Sequence, residues 1–127
     1  MTPFETDPFS AFLGLRWEDS STIRLTIRPE LLNSVGRLLG PVGFAMVDYG
    51  MASALFGTLQ DGESMATTNI SINFLASADS GDVVCRTRVD RRGRRAGFLS
   101  SSLEHESGRV LATAIGTFAI IRATGEQ

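Results

Sequence analysis

One carboxylate interrupts an apolar run. Asp48 is the only formal charge in PVGFAMVDYGMASALFGTL (41–59). Burying an unpaired carboxylate costs several kcal/mol unless it is neutralised, hydrogen-bonded or used chemically, and core patterning alone would place Leu or Ala there. The residues alone support two readings equally: a general base or nucleophile for hydrolysis with a pKa set by burial, or a carboxylate satisfied by backbone amides or by an arginine from another element. Upstream, Gly40 stands where a glycine-rich loop turns into this run. Its N–H would be among the unpaired donors of a helix N-terminus, able to hold an oxyanion; the plainer reading is a loop glycine.

Other candidates carry less chemistry. CRTRVDRRGRRAG gathers Arg91, Arg92, Arg94 and Arg95 around Gly93. Guanidinium forks suit phosphate, yet a charge run by itself usually marks a solvated turn. His105 is the only histidine and sits in EHESG beside an expected turn, which reads as a surface residue. Cys85 in an alternating strand reads as a small core residue, and Trp17 and Tyr49 as packing residues, with Tyr49 beside the key acid and so placed to line a subunit interface.

These residues need elements to hold them. Pro41 suits a helix start, and apolar or small side chains on every side predict a helix over 41–59 that is buried all round. TDPFSAF, with Thr6 or Asp7 as cap ahead of Pro8, predicts a short helix ending at Gly14. Ile23, Leu25 and Ile27 alternate with Arg24, Thr26 and Arg28, giving a strand stopped by Pro29, with a turn or bulge at 19–21. Four further strands follow, at 65–75, 82–90, 96–106 and 110–121, with Ile70, Ile72 and Phe74 alternating against Asn69, Ser71 and Asn73. The short glycine-bearing turns ADSGD, RRGR and ESGR predict antiparallel pairing of consecutive strands, and the tail ATGEQ is expected to fray. The fold class is α+β, one antiparallel sheet curled around a long central helix. One sheet face cannot finish a helix that is apolar all round, so a homo-oligomer is implied.

Composition narrows the chemistry. A chain of 127 residues with 43% apolar content suits a single domain, 1–127. A net charge of −2 gives no general reason to bind nucleic acid or an anionic membrane. All twelve basic residues are arginine, so Schiff-base, Walker-lysine and SxxK chemistry are excluded. With one cysteine and one histidine, neither an intrachain disulfide nor a multi-histidine or multi-cysteine metal site is possible. No signal-like start and no apolar run of roughly 20 residues are visible, so a cytoplasmic protein without cofactor or metal is expected.

The run NSVGRLLGPVGFAMVD, followed by TTNISINFLASADSGD, RRGRRAGF and RVLATAIGTFAI, resembles hot-dog acyl-CoA thioesterases, the family of the phenylacetate-pathway and four-hydroxybenzoyl-CoA types. That family carries Asn, two residues, Gly, two residues, His-Gly-Gly, and an acid nine residues after the histidine. The resemblance implies that Asp48 is the catalytic acid, that the Gly40 amide faces the thioester carbonyl, and that Asn33 helps position the thioester. It implies that Thr67 helps hold the attacking water, and that the nucleotide end of CoA lies near Arg92, Gly93 and Arg94. A homodimer or tetramer with its site between subunits is implied as well. Leu39 stands in place of the family histidine, and Pro41 in place of the second glycine. The function expected is hydrolysis of an acyl-CoA thioester; the alternative, for which Leu39 argues, is a non-catalytic acyl-CoA-binding or sensing protein. A dehydratase would need a histidine near the helix start, which the chain lacks.

Overall fold

The computed structural model describes residues 2–123. After a 3-10 turn at Pro3–Thr6 come α1 (Pro8–Leu13), β1 (Arg16–Asp19) and β2 (Thr22–Thr26), a second 3-10 turn at Pro29–Leu31, and the central helix α2 (Gly40–Phe56). β3 (Glu63–Phe74), β4 (Asp82–Arg92), β5 (Ala96–His105) and β6 (Val110–Arg122) complete the order. The fraying expected of the tail concerns 124–127, outside the described residues, whereas Ala123 N donates to Gly62 O at 2.8 Å.

All strands join one antiparallel sheet in the order β1-β2-β4-β5-β6-β3, wrapped on α2 as expected of a hot-dog fold. One expected pairing fails. β3 and β4 are consecutive in sequence but not neighbours, because β3 pairs with β6 while β4 pairs with β2 and β5. The ADSGD stretch is therefore part of a crossover, not a hairpin turn. Spanning β6 and β5 needs about 14 Å at the usual strand spacing, which the stretch 75–81 exceeds easily at about 3.3 Å per residue. Its backbone is tied down on the way: Leu38 N donates to Ala78 O at 2.8 Å and Ile27 N to Gly81 O at 2.9 Å.

Missing side chains set how closely α2 meets the sheet. A Cβ on Gly50 would lie 2.9 Å from both Cys85 Sγ and Thr87 Oγ1, so only a hydrogen fits there. In return the sheet has hollows at Gly97, where Leu55 seats, and at Gly116, where Met51 seats; an added Cβ would meet them at 2.7 and 2.4 Å. Met46, Met51 and Leu55 of the helix and Ile23, Leu25, Val83, Cys85, Leu99 and Phe118 of the sheet are almost completely buried together.

Within one chain α2 is covered on one side only, so the burial expected on every side would need a second copy. Val42, Met46, Val47, Gly50 and Ala54 face the sheet, but Pro41 and Phe44 are exposed and Ala45, Asp48 and Ala52 only half-buried. A curled sheet reaches around only part of a helix about 10 Å across, so a stripe of α2 next to β3 stays open.

Candidate functional site

Asp48 lies on that open stripe, half-buried rather than sealed in the core. Its Oδ1 accepts a 2.9 Å hydrogen bond from Thr67 Oγ1. How β3 delivers that hydroxyl is a matter of parity. Ile70 and Ile72 point toward α2, and strict alternation would continue through Thr68. A bulge between Thr67 and Asn69, opposite Phe118 and Thr117, shifts the register. Thr67 thereby faces the helix, in keeping with the use of bulges to re-aim side chains beside functional sites.

The two residues border a pocket of about 280 Å³ whose walls include Phe4, Asp7, Tyr49, Met65 and Phe118. Tyr49 OH donates to Asp7 Oδ2 at 3.1 Å. Burial above all, then the bond to Asp7 and the nearby charges of Asp7 and Asp48, raises the Tyr49 phenol above its usual range and keeps it a donor. Edge-on contacts of Phe4 with Tyr49 and Phe56, at 6.4 and 5.8 Å between ring centres, press the N-terminal segment against the helix. Trp17 packs edge-on to Tyr49 at 6.1 Å, while its Nε1 donates to Ser53 Oγ at 2.9 Å. Asp7 occupies the cap position of α1, but its side chain makes no capping bond and serves Tyr49 instead. Phe4 and Asp7 are site neighbours that the sequence did not reveal. The only sequence sign was Tyr49 beside Asp48.

Gly40 is the first residue of α2 and Leu39 its cap. Val42 N and Gly43 N donate back to Leu39 O at 3.0 and 3.3 Å, and Pro41 has no N–H. Among the described residues the Gly40 N–H has no acceptor, leaving it as the free donor of the helix N-terminus. Asn33 builds the loop that leads there: its Oδ1 accepts from Val35 N and Arg37 N, both at 3.0 Å, and its own N–H donates to Arg37 O at 2.7 Å. Gly36, at φ +79°, makes the turn that this loop requires. The Asn33 carbonyl is thus engaged within the loop.

Asp48 and Thr67 are brought together; Gly40 is not brought to them. Eight residues along one helix amount to about 12 Å of rise, so a single thioester cannot touch the Gly40 amide and the Asp48 carboxylate of the same chain.

At the β4–β5 turn the arginines divide. Arg92 is engaged with Glu63, whose side chain is only 3% exposed, and it also donates to Gly93 O at 2.8 Å and to Thr58 Oγ1 at 3.3 Å. Arg122 lies 2.9 Å from the other Glu63 oxygen. A bond from the Gln60 amide, then Arg92 and Arg122, lower the Glu63 carboxyl below its usual range. Arg92 therefore fixes the turn to the end of α2, while the exposed Arg94 makes no side-chain bond among the described residues. His105 is half-buried rather than freely exposed. Its Nε2 donates to Ser80 O at 2.8 Å, so the crossover is clamped to the β5–β6 turn. Cys85 is fully buried as expected, and burial pushes its thiol up to about 11.

Among the described residues no group of three His, Cys, Asp or Glu could hold a metal ion, and no helix is long and apolar enough to cross a membrane.

Comparison with known proteins agrees with the fold. A family profile described as "Thioesterase superfamily" matches residues 35–112, more than half of the chain. The "Putative esterase Rv1847" of Mycobacterium tuberculosis is 31% identical over 114 residues, 84% of this chain and 81% of that one. Its solved structure matches with a TM-score of 0.87 and 27% identity, covering 92% of this chain and 98% of its own. The "putative thioesterase, phenylacetic acid degradation-related protein" of Ralstonia eutropha JMP134 is 30% identical, with a TM-score of 0.80 and coverage of 94% and 91%. A Bacillus halodurans protein, BH2602, solved with CoA, shares the fold at 17% identity and a TM-score of 0.85, over 89% of this chain and 75% of its own. With its curled six-stranded sheet around one long helix and this match over most of its length, the chain belongs to the thioesterase superfamily.

Proposed function

We propose that the chain, working as one domain, hydrolyses an acyl-CoA thioester at a site assembled from two of its copies. The observation that carries the reading is the Thr67–Asp48 hydrogen bond on the open stripe of α2. Thr67 occupies Oδ1 and leaves Oδ2 and its own lone pairs to hold a water. In that arrangement Asp48 acts as general base, taking a proton as the water attacks the thioester carbon; the C–S bond then breaks and CoA leaves as the thiol, its sulfur taking up the proton that Asp48 gives back by way of solvent. The developing oxyanion needs a donor that is already in place. Among the described residues the Gly40 amide has no acceptor, and because about 12 Å of helix rise separates it from Asp48 within one chain, the amide at each site would come from the partner copy. The exposed Phe44 and the apolar stripe around Asp48 supply surface for such pairing. Asn33 acts by shaping the loop that presents Gly40. Arg94, like Arg91 and Arg95 of the same turn exposed and without a side-chain bond among the described residues, is free to meet the CoA phosphates, with Arg92 and Gly93 holding the turn in position. CoA as the thiol is supported by its presence in the Bacillus halodurans relative.

The test is Asp48→Asn assayed by thiol release from acyl-CoAs. The expected result is a loss of about 10²–10⁴-fold in kcat, the range for a positioned general base, with an unchanged melting temperature; an unchanged rate removes the reading.

One observation favours a second reading, a binding or sensing protein without turnover: Leu39 places an aliphatic side chain where the resembling family has an imidazole. Tight binding of acyl-CoA with no thiol release, in the wild type, would establish it.

A further inference from the structure

We infer that the cavity beside the N-terminus of α2 is the acyl pocket, shaped for a compact, wholly apolar acyl group about the size of one six-membered ring. The inference rests on the function proposed above. The cavity is separate from the one beside Asp48, holds about 200 Å³ and has Gly40 in its lining. Its depth is closed by Leu103 and Leu111, which are 2% and 3% exposed. Leu39 and Ala76 form half-buried walls, and the exposed Phe74 ring forms the rim.

Volume and polarity select the occupant. An apolar cavity of about 150 Å³ accommodates a benzene ring, so this one takes a ring or a chain of roughly six to eight carbons. Only Ser77, exposed at the edge, brings a side-chain hydroxyl to the lining. A hydroxyl on the buried end of the acyl group would be left without a partner, at a cost of about tenfold or more. The other pocket suits this part of the substrate badly, because Asp7, Asp48 and the Tyr49 hydroxyl line it; it suits water and the reacting end. Glycine on the helix wall is part of the shape. A Cβ on Gly43 would stand 3.1 Å from Leu103 Cδ1 and 3.2 Å from Phe74 Cε1, closing the space between them. Leu39, where an imidazole would bring a polar edge, keeps the mouth dry.

The experiment compares kcat/KM across straight-chain acyl-CoAs of two to sixteen carbons, benzoyl-CoA and 4-hydroxybenzoyl-CoA, and in parallel measures calorimetric binding of the matching S-alkyl-CoA thioethers, which cannot be hydrolysed. Wild type should improve by up to about fourfold per added methylene to an optimum near six to eight carbons, then decline, and should prefer benzoyl over 4-hydroxybenzoyl by about tenfold. Ala76→Leu, which fills the cavity, should move the optimum to shorter chains, and Leu39→Ala to longer ones, with thermal unfolding confirming that both fold. The thioethers should show the same optimum and the same displacements. A flat length profile, a preference for the hydroxylated ring, or variants that scale every substrate equally would overturn the inference, including the case in which a second copy of the chain fills the cavity. Thioether binding with the expected optimum but no hydrolysis of any substrate would leave the pocket standing and remove the proposed reaction. Hydrolysis without length dependence would do the reverse, and neither hydrolysis nor thioether binding would remove both.

Discussion

Thr67 and Thr68 are adjacent, chemically identical and both exposed, yet only Thr67 reaches Asp48, because the bulge reverses the strand's parity between them. Thr67→Val keeps the shape and removes the hydroxyl. It should lower kcat by about tenfold, the scale of one hydrogen bond to a charged group, whereas Thr68→Val should change it by less than about twofold. Equal effects in the two variants would deny Thr67 its place beside the water. Cys85 gives a second residue-scale expectation. Its thiol is raised from 9.0 to about 11 by burial, so the fold favours the neutral form. The resulting stability is complete below the unfolded thiol's pKa and is lost as pH climbs from about 9 through 11. Urea melts over that window should show a falling midpoint, with a shallower fall in Cys85→Ala, and a maleimide should label the thiol only after unfolding. At this scale the sequence exposed Asp48, since a lone charge in an apolar run is visible without coordinates. The Asp7–Tyr49 contact was not visible, because it joins residues 42 apart through a tertiary fold. Thr67 was identified only through family resemblance, as nothing in TTN distinguishes one threonine from its neighbour.

Among the elements, α2 shows most plainly how composition becomes geometry. Gly50 in mid-helix is unfavourable by about 1 kcal/mol against alanine in propensity alone, yet alanine there would drive its Cβ to 2.9 Å from Cys85 Sγ and Thr87 Oγ1. Close packing decides the sign. Gly50→Ala should destabilise by about 1–3 kcal/mol, read as a lower denaturation midpoint, and a stabilised variant would show that helix and sheet can part enough to admit the methyl group. Helix and strand identities were legible because their periods are local: Pro41 begins the long apolar run, and Ile70 and Ile72 alternate with polar partners. Strand order was less legible. ADSGD has the composition of a tight turn, and only the positions of β5 and β6 between β3 and β4 make it a crossover. Burial of the remaining side of α2 is likewise a non-local matter, since within one chain Pro41 and Phe44 stay exposed although Phe74 of β3 adjoins them.

On the scale of the whole molecule, that uncovered side and the distance between Gly40 and Asp48 lead to the same arrangement. If each site takes its amide from one copy and its carboxylate from the other, two crippled chains should repair each other. Asp48→Asn removes the base. Gly40→Pro removes the N–H at the first position of the helix, where proline is tolerated, and Leu39 at φ −62° and ψ 133° already has the extended backbone that a residue before proline needs. Each variant alone should be inactive. After co-unfolding and refolding in equal amounts, about half of the dimers should be mixed. In each mixed dimer one site would have both its amide and its carboxylate, and the other site neither. Thiol release should therefore recover to about a quarter of the wild-type rate per chain, and a tagged-chain pull-down would verify that mixed dimers had formed. Recovery at that level can arise only from sites shared between copies. Mixed dimers that stay inactive would mean that the Gly40 amide and the Asp48 carboxylate do not serve one thioester, and that the oxyanion is held elsewhere.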